Sequence, residues 1–176
     1  MTRLKVLNPD EATGKSKELF DVVKSKMGSI PNMTRTMANS SAVLTGYLGF
    51  SSALSSASIG SKLSELIALT IANQNECDYC NAAHSFIGGK IGLDATAIEL
   101  ARSGFSLDPK TNTALDFAKQ ILATKGNISD LALQEVKNAG FDDEQIAEIV
   151  AAVALNVFTN YFNNVSKTAI DFPKVV

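Results

Sequence analysis

With 176 residues, 45% of them hydrophobic, the chain is long enough to bury a core without a metal or disulfide staple. Its 16 basic and 18 acidic residues leave a net charge of −2, which excludes the basic footprint of a nucleic-acid binder or of a protein drawn to an anionic membrane. The opening MTRLKVLNPDEATGKSKELF holds no apolar core of signal-peptide length, and apolar runs such as Ile149 to Leu155 fall far short of a membrane span. One soluble, cytoplasmic domain over residues 1–176 is therefore expected, with neither nucleic acid nor membrane as partner.

Asn8 reads as an N-cap before Pro9, opening a helix with acids in its first turn that runs to about Met27. Gly28 to Asn32 ends it and starts a short helical segment to about Ala38. Asn39-Ser40-Ser41 caps the next helix, whose serine-rich end is expected to reach Ile59-Gly60 as a small-residue packing face. Ser61 is the expected N-cap of a helix apolar almost all round, with Leu63, Leu66, Ile67, Leu69 and Ile71, and therefore deeply buried. A polar turn at Asn73 to Asn75 leads into a helix that starts around Cys77 and breaks near Gly88-Gly89 or Gly92. Asp94, Asp108-Pro109, Ser129 or Asp130, and Asp142 mark four more helix starts, with glycine stops at Gly126 and Gly140. No segment alternates with period two between strand flanks, so the fold class is all-α, a helical bundle. A short echo, Glu65 to Asn73 against Glu148 to Asn156, hints at a helical duplication and is equally consistent with coincidence.

Both cysteines and the single histidine fall within eight consecutive positions, Cys77 to His84. Placed on a helix, Cys77 and Cys80 are three apart and Cys80 and His84 four apart, so all three share one face. A thiol beside a second thiol, at the positive end of a helix and near an imidazole, is favoured as thiolate. Cys80 with His84 as its base, and Cys77 ready to close a disulfide, form the layout of a redox-active dithiol. Glu65 lies on the preceding helix, which folds back beside this one. Its carboxyl is a candidate proton carrier if desolvated, and otherwise a first-turn acid complementing the helix dipole. Glu76 and Asp78 are read as solvent-facing. Two other readings stand beside the redox one. Cys77, Cys80, His84 and Glu65 could together hold a structural zinc, although one helix supplying three of the four donors matches no familiar zinc knuckle. The cysteines could also be small buried hydrophobes, with His84 a core residue. Tyr79, Phe86, Phe158, Tyr161 and Phe162 are read as core, with a substrate pocket as the alternative.

The pattern Glu-x11-Cys-x2-Cys-x3-His, formed by Glu65, Cys77, Cys80 and His84, resembles the AhpD-like alkylhydroperoxidases of the carboxymuconolactone decarboxylase superfamily. The ending Asn156-Val-Phe-Thr-Asn-Tyr-Phe-Asn-Asn-Val, followed by Ala169-Ile-Asp-Phe-Pro, is similar to that of its peroxidase-related branch. The resemblance implies a single AhpD-like bundle that assembles as trimers or hexamers. No cofactor is expected, and the redox reading, which needs a free thiolate, expects no metal. The resemblance also implies a peroxide substrate and a thiol or dithiol reductant. By the same resemblance, Cys80 would attack the peroxide and Cys77 would resolve it. Glu65 and His84 would relay the proton. One position departs from the pattern, since Tyr79 stands where the best-known members have a histidine.

Overall fold

The centre of the fold is set by the most apolar helix of the sequence. In the computed structural model, which describes residues 2–173, this helix is α4 (Gly60–Gln74), and every residue from Leu66 to Ala72 is buried. A helix apolar on all sides must be surrounded, and α4 packs against α5 (Asp78–Lys90), α6 (Ala95–Arg102), α7 (Pro109–Thr124) and α9 (Asp143–Ser166). Ile67, Leu69 and Ile71 interlock there with Leu115, Val136 and Ile149, Val136 coming from α8 (Asp130–Asn138). A second cluster, built on Phe20, Met37 and Leu44, joins α1 (Gly14–Met27), α2 (Asn32–Met37) and α3 (Ser41–Leu54). A third surrounds Cys77, Tyr79 and Cys80. No strand occurs among the described residues, and the all-α class stands.

Most helix starts follow the expected capping chemistry. Ser40, Asp94, Asp108, Ser129 and Asp142 each accept the backbone N–H three residues on, and Asp142 with Gln145 completes a capping box. Three boundaries differ. The expected helix from Pro9 to Met27 is broken after a 3-10 turn at Pro9–Glu11, because Ala12 and Thr13 are extended and α1 begins only at Gly14. Helix α3 stops at Leu54, where the Ser55 and Ser56 hydroxyls bond back to the carbonyls of Ser52 and Ala53. Ser52, Ser55, Ser56 and Ser58 are solvent-exposed, so the serine-rich stretch is not the packing face expected. Helix α4 starts without a capping side chain of its own. The carboxylate of Glu148, reaching from α9, instead accepts the N–H groups of Ser58 (2.8 Å) and Ile59 (3.0 Å).

Helix α9 is longer than the apolar runs of the sequence suggest. At 24 residues, with an 18-residue window of mean hydropathy 1.2, it is long and apolar enough, by length and composition alone, to cross a membrane. In the fold it is a core helix packed on α3, α4, α5 and α7, with Asn156, Asn160 and Asn163 among its buried residues.

Candidate active site

The turn that presents the cysteines is a single tight reversal between α4 and α5. The Cys77 N–H closes onto the carbonyl of Ala72 (2.9 Å) and the Glu76 N–H onto that of Asn73 (3.0 Å), the hydrogen-bond pair of a Schellman motif. Glu76 occupies the left-handed position at φ 50°, where glycine is usual. Holding a side chain there costs roughly 1–2 kcal/mol. Cys77 is thus both the residue that closes α4 and the N-cap of α5, and its Sγ accepts the N–H of Cys80 (3.3 Å). The expected position of Cys77 at a helix start is what the structure shows. Its sulfur is joined to that of Cys80 in a disulfide, across a Cα–Cα distance of 5.3 Å. Glu76 and Asp78 face solvent.

Cys77 is fully buried at 0% exposure, while Cys80, at 3%, lies on the wall of a cavity of about 310 Å³ between α3, α4, α5 and α9. Glu65, His84 and Tyr79 line the same cavity. Three of the four residues singled out by the motif therefore border one space, and Cys77 lies behind it. Glu65 belongs to the second turn of α4 rather than the first, and its Oε2 lies 2.8 Å from His84 Nδ1. This contact ties α4 to α5. Burial disfavours the charged imidazole, but the Glu65 charge and hydrogen bond outweigh it and hold the His84 pKa above its ordinary value. With Nδ1 occupied, Nε2 is the nitrogen able to exchange a proton with a molecule in the cavity. His84 was expected to serve Cys80 directly. Among the described residues, no hydrogen bond joins the two, and the imidazole is turned to Glu65 instead.

The side chain that does touch Cys80 was not foreseen. Asn163 of α9, 3% exposed, directs its Nδ2 to Cys80 Sγ (3.3 Å) and to Met33 Sδ (3.2 Å). Asn156, Thr159 and Asn163 form a polar row on an otherwise apolar helix face and line the cavity opposite α5. Their spacing of three, four and seven was visible in the sequence, but nothing there said which helix faced them.

Tyr79, at the position where the resembling family has histidine, has a different task. Its hydroxyl donates to Asp171 Oδ1 (3.0 Å) and accepts the N–H of Met33 (3.2 Å), while Asp171 Oδ2 accepts the N–H of Asn32 (2.7 Å). Burial raises the Tyr79 pKa far above the ordinary phenol value, so it remains a neutral hydroxyl. Phe172 packs edge-on against the Tyr79 ring at 5.6 Å and contacts Phe86 at 5.9 Å, so the segment after α9 closes one side of the cavity. The ending that carried part of the resemblance thus supplies Asn156, Asn163, Asp171 and Phe172 to this region. The aromatic expectation splits: Tyr79 is buried on the cavity wall and Phe162 packs with the α1–α3 cluster. Phe86, Phe158 and Tyr161 are exposed rather than core.

The donors of the zinc alternative are not gathered. Among the described residues, no group of three or more His, Cys, Asp or Glu side chains could share an ion. The two sulfurs are bonded to each other and the imidazole is turned to Glu65.

No protein-family model matches the chain, and no curated protein matches it in sequence. Solved structures match it throughout its length. It superposes on the alkylhydroperoxidase AhpD core of an uncharacterized peroxidase-related protein from Ralstonia eutropha JMP134 with a TM-score of 0.87. That match covers 97% of this chain and 92% of the other, at 19% identity. An uncharacterized peroxidase-related protein from Silicibacter sp. TM1040 gives 0.81 at 21% identity, over 96% and 94% of the two chains. The debrominase Bmp8 gives 0.81 at 20% identity, over 97% and 93%. These likenesses run the full length of the bundle, and the chain is an all-α protein with the AhpD-like fold.

Proposed function

We propose that this protein is a thiol-dependent peroxidase acting on organic hydroperoxides, with Cys80 as the attacking thiol and Cys77 as the resolving one. The observation that carries the reading is the placement of a disulfide-forming pair so that one sulfur lies on the wall of a cavity that also holds a Glu65–His84 proton couple. The fold does not choose the activity, since one protein of this fold is a debrominase. The chemistry of the site favours the peroxidase.

In the proposed cycle, the Cys80 thiolate attacks the distal oxygen of the hydroperoxide. The O–O bond breaks, the leaving alkoxide takes a proton from His84, and Cys80 becomes a sulfenic acid. The Cys77 thiol then displaces hydroxide from that sulfur, and the two atoms form a disulfide with release of water. A thiol or dithiol reductant, as expected in a reducing compartment such as the cytoplasm, returns both cysteines to thiols. No metal or cofactor enters any step. The largely apolar wall, with Met33, Ile87 and Phe172 among its residues, suits the organic part of a hydroperoxide better than hydrogen peroxide alone. Mass spectrometry and thiol titration test the reading. One equivalent of cumene hydroperoxide is expected to remove both free thiols of reduced protein together and lower its mass by two hydrogens. Retention of two titratable thiols, or only intermolecular disulfides, would sink it.

Self-association belongs to the same proposal. Val150, Phe158, Tyr161 and Val165 lie exposed along one side of α9 at helical spacing, an apolar stripe that a second copy would cover. Light scattering at micromolar concentration is expected to give a multiple of the 18.7 kDa chain mass, and Phe158→Asp with Tyr161→Asp is expected to reduce it toward a single chain. A wild-type mass of one chain would refute self-association and leave the thiol chemistry untouched.

A further inference from the structure

We propose that Asn163 is a catalytic residue of the thiol chemistry, its side-chain amide donating to the Cys80 sulfur and holding that sulfur in its anionic form until it attacks. The inference rests on the reading of Cys80 as the attacking thiol. It begins from three features of one buried amide. Nδ2 contacts Cys80 Sγ and Met33 Sδ, while Oδ1 is buried with no hydrogen-bond partner. The two sulfurs account for that orientation. Turned over, the amide would present its oxygen to two atoms that have no hydrogen to give when Cys80 is a thiolate or a disulfide, and the N–H donors would lose both acceptors.

The same amide favours the thiolate over the neutral thiol, whose sulfur is the weaker acceptor. An S–H could donate to Oδ1 only if the amide turned over, and turning it over forfeits the contact with Met33. Met33 therefore acts as a positioning residue that pins the donor side of Asn163 toward Cys80. It is itself fixed by the hydrogen bond from its N–H to Tyr79, whose hydroxyl is anchored on Asp171. Tyr79, the departure from the family pattern, thus supports the sulfur site from behind.

Among the described residues, the other titratable side chains that line the cavity are engaged elsewhere. Glu65 and His84 are paired with each other, and Glu148 at the far side of the cavity is engaged by Ser58 and Ile59. Tyr47 and Tyr79 are neutral phenols raised above their ordinary value by burial, and Asp171 is bonded to Tyr79 and Asn32. Asp78, next to Cys77, faces solvent. Among the described residues, Asn163 is the side chain that gives Cys80 a hydrogen bond.

The test uses Cys77→Ser as background, so that Cys80 is the one thiol, and follows its ionisation by thiolate absorbance against pH. Asn163→Leu, close in shape and without donors, is expected to raise the midpoint by about one pH unit, a tenfold loss of thiolate at a fixed pH below it. Asn163→Asp, which puts an acceptor and a charge against the sulfur, is expected to raise it further. Met33→Leu should give a smaller shift in the same direction. The NMR signal of the single histidine reports whether the cavity is intact in each variant. An intact Asn163→Leu or Asn163→Asp with an unmoved midpoint overturns the inference. If neither variant folds, an unmoved midpoint in Met33→Leu does so. Peroxide consumption is assayed separately with both cysteines present. A shifted midpoint without peroxide turnover upholds the donor and rejects the peroxidase. Turnover with an unmoved midpoint does the reverse.

Discussion

Replacing Cys80 by serine is expected to abolish hydroperoxide reduction, whereas Cys77→Ser should keep the first oxidation step and stop at a trapped sulfenic acid on Cys80. Helix-dipole reasoning alone points the other way, because Cys77 is the N-cap of α5 and the first thiol of a Cys-x-x-Cys pair is commonly the more acidic. That effect is worth about 0.3–1 kcal/mol. Two larger effects favour Cys80. The substrate must reach the sulfur, and Cys80 lines the cavity while Cys77 is sealed behind it. A hydrogen bond to a charged group contributes about 1.5–3 kcal/mol, and the side-chain amide of Asn163 reaches Cys80. Mass mapping of a dimedone adduct after one equivalent of hydroperoxide checks the assignment. An adduct on Cys77 in a fast-reacting Cys80→Ser protein would reverse it.

Losing the Glu65–His84 couple should have the next largest effect. His84→Ala is expected to slow the peroxide step by about 10²–10⁴-fold, the usual range for a positioned general acid. Reduction of the disulfide by a small thiol, which does not need that proton, should be nearly unchanged. Glu65→Gln keeps the geometry but removes the charge, so burial, the largest influence, is opposed only by a neutral hydrogen bond and the imidazole pKa should fall below the ordinary value of about 6.5. The alkaline limb of the rate profile should move toward acid with it.

Stability offers an independent check with a definite sign. The folded pKa of His84 is raised, so the couple's contribution is fully present below about pH 6.5 and is lost as pH rises through the higher folded value. Wild type should therefore exceed Glu65→Gln in stability by more at pH 5.5 than at pH 9 in denaturant unfolding. Equal margins at the two pH values would show that the imidazole is not charged by Glu65.

Most capping residues (though not Ser61 at α4), the glycine stops and the all-round apolar character of α4 were legible in the sequence, because each depends on neighbours within a turn or two of chain. So was the disulfide, since residues three apart at a helix start are within bonding reach whatever surrounds them. The spacing of Glu65 from His84 marked both as candidates, but which atom each would meet depended on how α4 lay against α5. Tertiary packing turned His84 to Glu65 rather than to Cys80, and it brought Asn163 from 83 positions away to the sulfur instead. It also made Glu148 the cap of α4 and left Phe158 and Tyr161 outside the core. A helix declares its own period and ends in its sequence, because the interactions that fix them are local. The partner of a buried polar side chain is chosen by which helix arrives opposite it, and that is decided by the packing of the whole bundle around α4.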